Sequence, residues 1–368
     1  MDEPTFARPE VLDVLLERAR LGAPLLLTGP PGAGKTTLLG SLGTALAREG
    51  WIVCALDLMG AASSPERFVH AALEALPAGP FAARMGEALE IQRLAASGRL
   101  NGVNAVRALF ALWASLDEVG GRPVALLLDE ASEIRSLAYF PGLRDVAKPF
   151  FAALSARRRG TILATSFPTM SKRLAAFETL DLAPLTAGHL SPFVSPRVSE
   201  DVLRLSFGWP RYARVLVERT RQGDDAAAAF VSELRLGGRL EVSLRATYES
   251  LLLRSRGYGS SKALLAMIAE KQGQNLTALY REMGRSPGAT RDYLVWLVEV
   301  DAVKMVGKRY HYVDGLLAHW VRLHARGRVP SVAEIEAAAH DILGKDREPA
   351  PEAKPAAQKK EELLMEID

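Results

Sequence analysis

Short apolar runs alternate with amphipathic helical patterns along the first half of the chain. The runs fall at residues 23–29, 51–59, 124–130, 160–166 and 177–185. After the first run, Leu38, Leu42 and Leu46 repeat at every fourth position, which is the spacing of one helix face. A longer helical stretch at 65–119 predicts additional helices between the second and third runs. Continuous apolar strands separated by helices are typical of a parallel sheet covered on both faces, so the pattern predicts an α/β fold.

The second half of the chain shows helical patterns and only one later pair of strands. Four helices joined by Gly-containing turns are predicted after residue 190, and three more follow residue 254. Two short strands then meet at Gly307-Lys308, which completes the layout of a winged helix-turn-helix. The predicted division is 1–190 for the α/β core, 191–253 for an all-α domain, 254–328 for the winged helix-turn-helix, 329–344 for a C-terminal helix and 345–368 for a disordered, Pro/Glu/Lys-rich tail.

Composition restricts the class of protein more than it indicates a function. The chain has 368 residues, of which 48% are hydrophobic and 24% charged, as in ordinary globular proteins. Its single cysteine, Cys54, lies in an apolar run, so we expect a buried thiol and no disulfide framework. The N-terminus lacks the apolar core of a signal peptide, and no apolar run reaches the ~18 residues of a membrane span. These features predict a cytoplasmic protein without a membrane partner.

The segment GPPGAGKT, Gly29–Thr36, has the spacing of a phosphate-binding loop. It lies between a predicted buried strand and a predicted helix, where backbone N–H groups and the helix N-terminus can surround a phosphate. We expect Lys35 to contact the β- and γ-phosphates and Thr36 to ligate Mg²⁺, which makes ATP and Mg²⁺ the predicted cofactors. The predicted nucleotide contacts are Gly29, Pro30, Pro31, Gly32, Ala33, Gly34, Lys35, Thr36 and Thr37.

Two adjacent acidic residues end the third apolar run, LLLDE. Asp129 is placed to join the Mg²⁺ shell, directly or through water. Glu130 is a candidate general base for an attacking water molecule. Because a pair of acids supplies a base as well as a metal ligand, this arrangement favours hydrolysis over nucleotide binding alone.

Together these motifs resemble those of the AAA+ ATPases. More narrowly, the chain resembles the archaeal-type ATPases that are grouped with the STAND signalling NTPases. The opening FARPEVLDVLL, the strand ILATSF, the element GWP and the segment KRYHYVDGLLAHWVRLH carry this resemblance over residues 5–328. Pro9 stands where that group has Glu, and Gly315 where it has Pro. The resemblance implies a parallel-sheet P-loop AAA+ core, a helical lid, a winged helix and a nucleotide-dependent homo-oligomer.

Several site residues follow from this resemblance alone. Ser166, or Thr165 before it, would hold the lytic water or the γ-phosphate as sensor 1. Arg8 would lie near the adenine, and Pro210 would mark where the lid meets the nucleotide. Arg211 is either a γ-phosphate ligand or a surface residue of a lid helix. The cluster Arg157, Arg158 and Arg159 either reaches a neighbour's γ-phosphate as an arginine finger or forms a solvated, basic helix end.

The predicted winged helix has a larger net positive charge than the chain as a whole. Residues 254–328 contain thirteen Lys or Arg and six Asp or Glu, a net charge of +7, whereas the whole chain has only +3. Its third helix starts at Ser286-Pro287, a typical N-cap and first-turn pair. We expect Tyr293, Leu294, Leu297 and Val298 on its buried face. The predicted DNA contacts are Arg285, Thr290 and Arg291 at the start of that helix and Lys308 and Arg309 at the wing.

The sequence thus favours an ATP-hydrolysing switch whose nucleotide state is coupled to a winged helix that binds duplex DNA. Two alternatives stay open. In one, the protein is a signalling or scaffold ATPase whose winged helix docks a protein partner. In the other, it is a mobile-element or defence ATPase with a separately encoded effector.

Overall fold

A mostly parallel sheet forms the centre of the first half of the chain. The computed structural model describes residues 6–76, 102–170, 177–324 and 327–344. Five parallel strands have the spatial order β2-β4-β5-β1-β6, and a short β3 pairs antiparallel with β4. The strands are β1 (Leu25–Thr28), β2 (Ile52–Asp57), β3 (Glu118–Val119), β4 (Arg122–Asp129), β5 (Thr161–Thr165) and β6 (Glu178–Asp181).

Helices cover both faces of this sheet, as the continuous apolar strands predict. Alternate residues of β4 point to opposite sides, so that Leu126 joins one buried cluster and Leu127 the other. One face packs against α1 (Pro9–Leu21) and α2 (Lys35–Arg48). The other packs against α3 (Leu58–Ala61), α4 (Pro65–Glu74), α5 (Gly102–Ala114) and α6 (Ala147–Ser155). Cys54 is buried in β2, and burial raises the pKa of its thiol to about 12, as expected for an unreactive thiol.

The remainder of the described chain is helical apart from a small three-stranded sheet. The antiparallel hairpin of β8 and β9 is extended by β7 and follows three helices, as the sequence predicts. The elements are α7 (Ala187–Leu190), α8 (Pro196–Ser206), α9 (Pro210–Arg221), α10 (Ala226–Leu234), α11 (Arg239–Arg254), α12 (Tyr258–Glu270), β7 (Gln274–Asn275), α13 (Leu276–Met283), α14 (Pro287–Glu299), β8 (Val303–Val306), β9 (Arg309–Tyr312), α15 (Gly315–His324) and α16 (Val332–Gly344).

The helices after residue 187 share one hydrophobic core. Phe230 of α10, Leu264 of α12 and Trp320 of α15 all belong to the same buried cluster. The last helix, α16, packs back against α8 and α10, and Arg204 donates to the carbonyl of Leu343 at 2.8 Å. The predicted lid and winged helix are therefore in close contact here, and their boundaries remain a prediction. Residues 77–101 of the predicted helical insertion and the predicted tail lie outside the described residues.

The element FGWP contains a sharp turn between α8 and α9. Phe207 and Gly208 both have left-handed backbone angles, with φ of 53° and 71°. A Cβ atom on Gly208 would lie 2.6 Å from Cβ of Pro184, so the turn needs glycine for space as well as for conformation. Pro210 then opens α9, as predicted. Within the described residues, no helix combines the length and the apolar character needed to cross a bilayer.

Candidate nucleotide-binding site

Three strand ends bring the candidate catalytic residues together. Parallel strands present their carboxyl ends at one edge of a sheet, and here β5 lies between β1 and β4. The phosphate loop follows β1, Ser166 follows β5, and Glu130 follows β4. Ser166 therefore lies between the loop and the acidic pair, an arrangement that depends on strand order.

Lys35 lies at the centre of this edge and is 4% exposed. Its ammonium donates to the carbonyls of Gly29 at 2.8 Å and Pro30 at 3.1 Å, and to Oγ of Ser166 at 2.8 Å. The loop reaches this shape through positive φ angles of 86° at Gly32 and 96° at Gly34. Burial lowers the pKa of Lys35, and the nearby carboxylates of Glu130 and Asp129 oppose that shift.

The two predicted metal ligands are in direct contact. Oγ1 of Thr36, in the first turn of α2, donates to Oδ2 of Asp129 at 2.5 Å. Oδ1 of the same carboxylate accepts the backbone N–H of Glu130 at 3.0 Å. A hydroxyl and a carboxylate beside a phosphate loop are oxygen ligands of the kind that Mg²⁺ takes together with phosphate oxygens. The residues present therefore fit the predicted ion.

Glu130 adopts a strained backbone conformation beside Ser166. Its φ of 47° and ψ of 49° are left-handed, which is uncommon for a residue with a side chain. Its carboxylate accepts the backbone N–H of Ser166 at 2.9 Å and also the Ser166 hydroxyl. Burial raises the pKa of Glu130, while Lys35 and the two Ser166 hydrogen bonds lower it. A buried carboxyl with a raised pKa is typical of general acid–base sites.

Of the two candidate sensor residues, Ser166 is the one that contacts the site. Its hydroxyl links Lys35 to Glu130. The Thr165 hydroxyl instead donates to Oγ of Ser132 at 2.9 Å and accepts the backbone N–H of Phe167, and the residue is fully buried.

The start of α9 contacts the phosphate loop through its backbone. The N–H of Arg211 donates to the carbonyl of Gly32 at 3.2 Å. Pro210 lies against Gly34, where an added Cβ atom would be 3.7 Å from Cγ of the proline. The exposed side chain of Arg211 extends along the helical domain, with Nη1 3.3 Å from Oγ1 of Thr247. The GWP element thus meets the phosphate loop directly, and the guanidinium of Arg211 lies on the wall of the adjoining cleft.

A cleft of about 990 Å³ lies between the sheet edge, α1 and the helices α9 and α11. This volume is at the upper end of the range of small-molecule and cofactor sites. Pro31, Gly32, Lys35, Thr36 and Thr37 of the phosphate loop line its floor, whereas Ala33 is buried behind the loop. The described residues that line the cleft include one acid, Glu130, and six basic residues. The basic residues are Arg8, Lys35, Arg211, Arg214, Arg239 and Arg254. This excess of positive charge suits a ligand with several phosphates.

Arg8 lies at the other end of the cleft and is 6% exposed. Nη1 donates to the carbonyl of Ala183 at 2.6 Å, which fixes the guanidinium between α1 and the segment after β6. Nη2 is buried and has no hydrogen-bond partner among the described residues. An unpaired buried donor is costly, so this atom is suited to a ligand acceptor.

Arg157, the first residue of the arginine cluster before β5, has neither of the roles expected from the sequence, whereas Arg158 is exposed and Arg159 lies at the surface. Arg157 is 3% exposed and donates to the carbonyls of Trp113, Leu116 and Val124 and to Oγ1 of Thr161. It therefore links helices and strands inside the core and is neither a finger nor a solvated helix end. Arg159 pairs with Glu118 at 3.1 Å. The whole cluster lies at the amino end of β5, opposite the phosphate loop.

One predicted DNA contact is wrong. Thr290 is fully buried, and its hydroxyl donates to the carbonyl of Ser286 at 3.0 Å. It lies four and seven residues before the buried Leu294 and Leu297, on the inner face of α14. Arg285 and Arg291 are exposed, and the guanidinium of Arg285 lies 5.7 Å from the centre of the Tyr293 ring. Lys308 and Arg309 are exposed at the hairpin turn.

Sequence reasoning missed two contacts that join the second half of the chain to the site. Arg254, the last residue of α11, pairs with Glu133 at 2.5 Å and lies 4.7 Å from the centre of the Phe167 ring. Asp301, after α14, accepts the Thr169 hydroxyl at 2.7 Å and the Thr169 backbone N–H at 3.3 Å. Neither pair has a distinctive spacing or motif, because each joins residues more than a hundred positions apart.

One comparison with known proteins covers the segment that contains the phosphate loop and the acidic pair. Residues 8–163 match the AAA ATPase domain. The sequence has no significant match among curated proteins. Among solved structures, a Walker-type ATPase of Pyrococcus abyssi is 17% identical and has a TM-score of 0.61, with 86% of this chain and 96% of that chain covered.

Two further similar structures contain nucleotides or nucleotide analogues according to their titles. The ORC2 protein of Aeropyrum pernix, in ADPNP–ADP complexes, is 14% identical over 91% of both chains, with a TM-score of 0.42. AMPPCP-bound DnaA of Aquifex aeolicus is 15% identical over 79% of this chain and 86% of that chain, with a TM-score of 0.36. The similarity to the Walker-type ATPase of Pyrococcus abyssi shows that the two chains share an α/β fold, which here has a mostly parallel central sheet.

Proposed function

We propose that this protein binds and hydrolyses ATP and uses the nucleotide state to control how its C-terminal helices engage duplex DNA. The observation that carries this proposal is the joining of Lys35, Ser166 and Glu130 by hydrogen bonds at one sheet edge, beside the Thr36–Asp129 pair. This arrangement supplies a phosphate contact, a pair of metal ligands and a base within one cleft.

Each residue then has a distinct task. Lys35 exchanges its contacts to the Gly29 and Pro30 carbonyls for the β- and γ-phosphate oxygens. Thr36 and Asp129 would hold Mg²⁺, which would neutralise phosphate charge. Glu130 accepts a proton from the attacking water, and Ser166 orients that water or the γ-phosphate between the base and Lys35. Arg8 would offer its unpaired Nη2 to the nucleotide at the end of the cleft where the adenine would bind.

We propose that Arg254 is the residue that couples this site to the second half of the chain. The segment Ala131–Tyr139 is a 3₁₀-helix that starts directly after Glu130, and the Glu133 N–H donates to the Glu130 carbonyl at 2.9 Å. Arg254 therefore holds the turn that positions the base. Arg254 also contacts the ring of Phe167, which is the residue directly after Ser166. Any shift of Glu130 or Ser166 upon hydrolysis would act on the end of α11.

The Asp301–Thr169 contact is the second connection in this proposal. Burial raises the pKa of Asp301 from its ordinary value of 3.8 to about 7, and the carboxylate of Asp181 adds to the shift, while the two hydrogen bonds from Thr169 lower it. The folded protein therefore binds this proton more tightly than the unfolded chain does. Asp301 therefore contributes to the free energy of unfolding at low pH, and this contribution is lost as the pH rises from about 4 to about 7.

We expect Asp301→Asn to stabilise the protein by about 1 kcal/mol above pH 7 and by little at pH 4. Asparagine tolerates the left-handed φ of 53° at this position and keeps one acceptor and one donor for Thr169. Thermal unfolding measured at several pH values checks this. Asp292→Asn, an exposed acid on α14, is the matched control. A gain for Asp301→Asn that is equal at pH 4 and pH 8 would contradict the assignment.

The DNA part of the proposal is supported by the concentration of positive charge in residues 254–328. We expect the ATP-analogue-bound protein to bind a labelled duplex about 5-fold or more tightly than the ADP-bound protein, since a coupling of this kind is typically worth 1–3 kcal/mol. Lys35→Ala should abolish nucleotide binding and hence the difference between the two states. Salt-independent binding, or none in either state, would overturn the DNA reading.

A protein partner is the second candidate, because the exposed face of α14 is not basic. After the exposed Pro287 and Gly288 of its first turn, its exposed residues are Arg291, Asp292, Val295 and Glu299, with one positive and two negative charges. A mixed face with an exposed valine is more typical of a protein contact than of a DNA-reading helix. Failure of duplex binding with intact ATP hydrolysis would favour this candidate.

A further inference from the structure

A buried hydrogen bond joins the start of α15 to the first turn of α9. The Tyr212 hydroxyl donates to Oδ2 of Asp314 at 2.6 Å. Oδ1 of the same carboxylate accepts the backbone N–H groups of Leu316 at 2.9 Å and Leu317 at 3.2 Å, which caps α15. Tyr212 is 1% exposed and Asp314 is 8% exposed. One carboxylate therefore holds the start of α15 with one oxygen and α9 with the other.

A second contact beside this one leaves no free space between the same two regions. A Cβ atom on Gly315 would lie 2.4 Å from Cε1 of Phe207, the residue that ends α8. The Phe207 ring also lies 5.7 Å from the ring of His319, one turn further along α15. Any residue with a Cβ atom at position 315, proline included, would therefore displace the Phe207 ring. Asp314 and Gly315 thus contact the chain on both sides of the turn that leads into α9.

The same first turn of α9 is bonded to the phosphate loop. Tyr212 directly follows Arg211, whose backbone N–H donates to the Gly32 carbonyl at 3.2 Å. The N–H groups of Tyr212 and Ala213 both donate to the carbonyl of Trp209, at 3.1 and 2.9 Å, so the turn is internally hydrogen-bonded. One helical turn is therefore held by the loop on one side and by Asp314 on the other.

Burial makes the Asp314 carboxylate dependent on these partners. Burial raises the pKa of this group, while the Tyr212 hydroxyl, the N–H groups of Leu317 and Leu316 and the charge of Arg211 lower it. Removal of one partner would leave a buried acceptor unsatisfied, which is unfavourable. The arrangement of α9 against α15 is therefore strongly favoured over one in which the two helices separate.

From these contacts we propose that Tyr212 and Asp314 are positioning residues for the phosphate loop, which hold the first turn of α9 where the Arg211 N–H meets the Gly32 carbonyl. Both side chains lie outside the lining of the cleft, so they act on the nucleotide only through α9. By thermodynamic linkage, a nucleotide that binds the positioned loop also stabilises the start of α15. The inference rests on the nucleotide binding proposed above and adds α15 to the elements that regulate that site.

The test compares two tyrosines of the full chain that lose the same hydroxyl group. Tyr212→Phe removes the donor to Asp314 and keeps the packing of the ring. Tyr312→Phe is the matched control, because the Tyr312 hydroxyl donates to the Leu265 carbonyl at 2.7 Å and its residue is also buried. That contact joins β9 to α12 and does not involve α9. The ligand is a non-hydrolysable ATP analogue.

We expect Tyr212→Phe to bind the analogue about 5-fold or more weakly than wild type, the lower limit of a typical coupling between sites. Both variants should lower the midpoint of urea unfolding, but Tyr312→Phe should keep wild-type affinity. Hydrogen exchange supplies a readout that a purely structural role would not change. The analogue should slow exchange of the Leu316 and Leu317 amides in wild type and have little effect on them in Tyr212→Phe.

Three results would overturn the inference and leave the proposed nucleotide site intact. The first is wild-type affinity in Tyr212→Phe, or an equal loss of affinity in Tyr312→Phe. The second is exchange at Leu316 and Leu317 that the analogue does not slow in wild type. The third is slowing of the same size in Tyr212→Phe as in wild type. If wild type binds no analogue, the proposed function itself fails.

Discussion

Glu130→Gln should retain ATP binding but lose turnover by about 10²–10⁴-fold. Glutamine fills the same space and can still accept the Ser166 N–H, so the cleft keeps its shape. It cannot accept a proton from water at neutral pH, and the loss matches the usual contribution of a general base. Lys35 and Thr36 are unchanged, so the affinity for an ATP analogue should stay near that of wild type. Phosphate release and analogue titration measure the two quantities separately.

The pH dependence gives a second readout of the same residue. Burial raises the pKa of Glu130, and the base must be ionised to act, so wild-type turnover should fall as the pH drops through that raised value. Glu178→Gln is the matched control, because Glu178 lies at the opposite end of the sheet on β6 and is exposed. Unchanged turnover in Glu130→Gln would remove this residue from the role of base.

Arg157→Met should destabilise the protein by about 3–5 kcal/mol. Methionine fills part of the volume, but it removes the guanidinium donors from the buried carbonyls of Leu116 and Val124, while the Trp113 carbonyl keeps only the Leu116 N–H. Each buried unsatisfied group costs about 1–3 kcal/mol. Several elements should be destabilised together, because these carbonyls belong to the end of α5, the following turn and the start of β4. Urea unfolding followed by circular dichroism measures the loss.

Arg159→Met provides the comparison two positions away. This side chain pairs with Glu118 at the surface, and such pairs contribute about 0–1 kcal/mol. We therefore expect a small change in the free energy of unfolding. If Arg157→Met had wild-type stability but lost activity only in the assembled protein, a finger role would replace the structural one.

The parts of this protein that could be predicted from its sequence are those in which neighbouring residues determine the structure. The phosphate loop needs glycines at fixed positions between a strand and a helix, and all of these lie within a short segment. The buried strands are continuous apolar runs, and the turn at Gly208-Trp209-Pro210 follows from local backbone restrictions. In each case the physical requirement is met by residues close together in the chain.

The parts that could not be predicted depend on which strands and helices become neighbours. From its neighbours in the sequence, Arg157 is indistinguishable from a surface arginine. In the folded protein it is buried among carbonyl groups of α5, the following turn and β4. Thr290 follows the polar start of a helix, yet it lies on the side that packs inward. The choice of Ser166 over Thr165 depends on β5 lying between β1 and β4, because only then does the residue after the strand face both Lys35 and Glu130. Strand order has no local signal in this sequence.

Gly32 links the phosphate loop to α9 in a way that gives one residue two separate requirements. A Cβ atom at this position would lie 2.6 Å from Cβ of Arg211, and the Gly32 carbonyl accepts the Arg211 N–H. Glycine is required at this position first because the backbone is left-handed, with φ of 86°. It is required a second time because α9 approaches too closely for a side chain. A peptide that shapes the phosphate site and is also hydrogen-bonded to the helical domain cannot turn without straining that bond. We therefore expect a ligand in the loop to act on the position of α9 through this one peptide group, in addition to the side-chain contacts of Arg254 and Asp301.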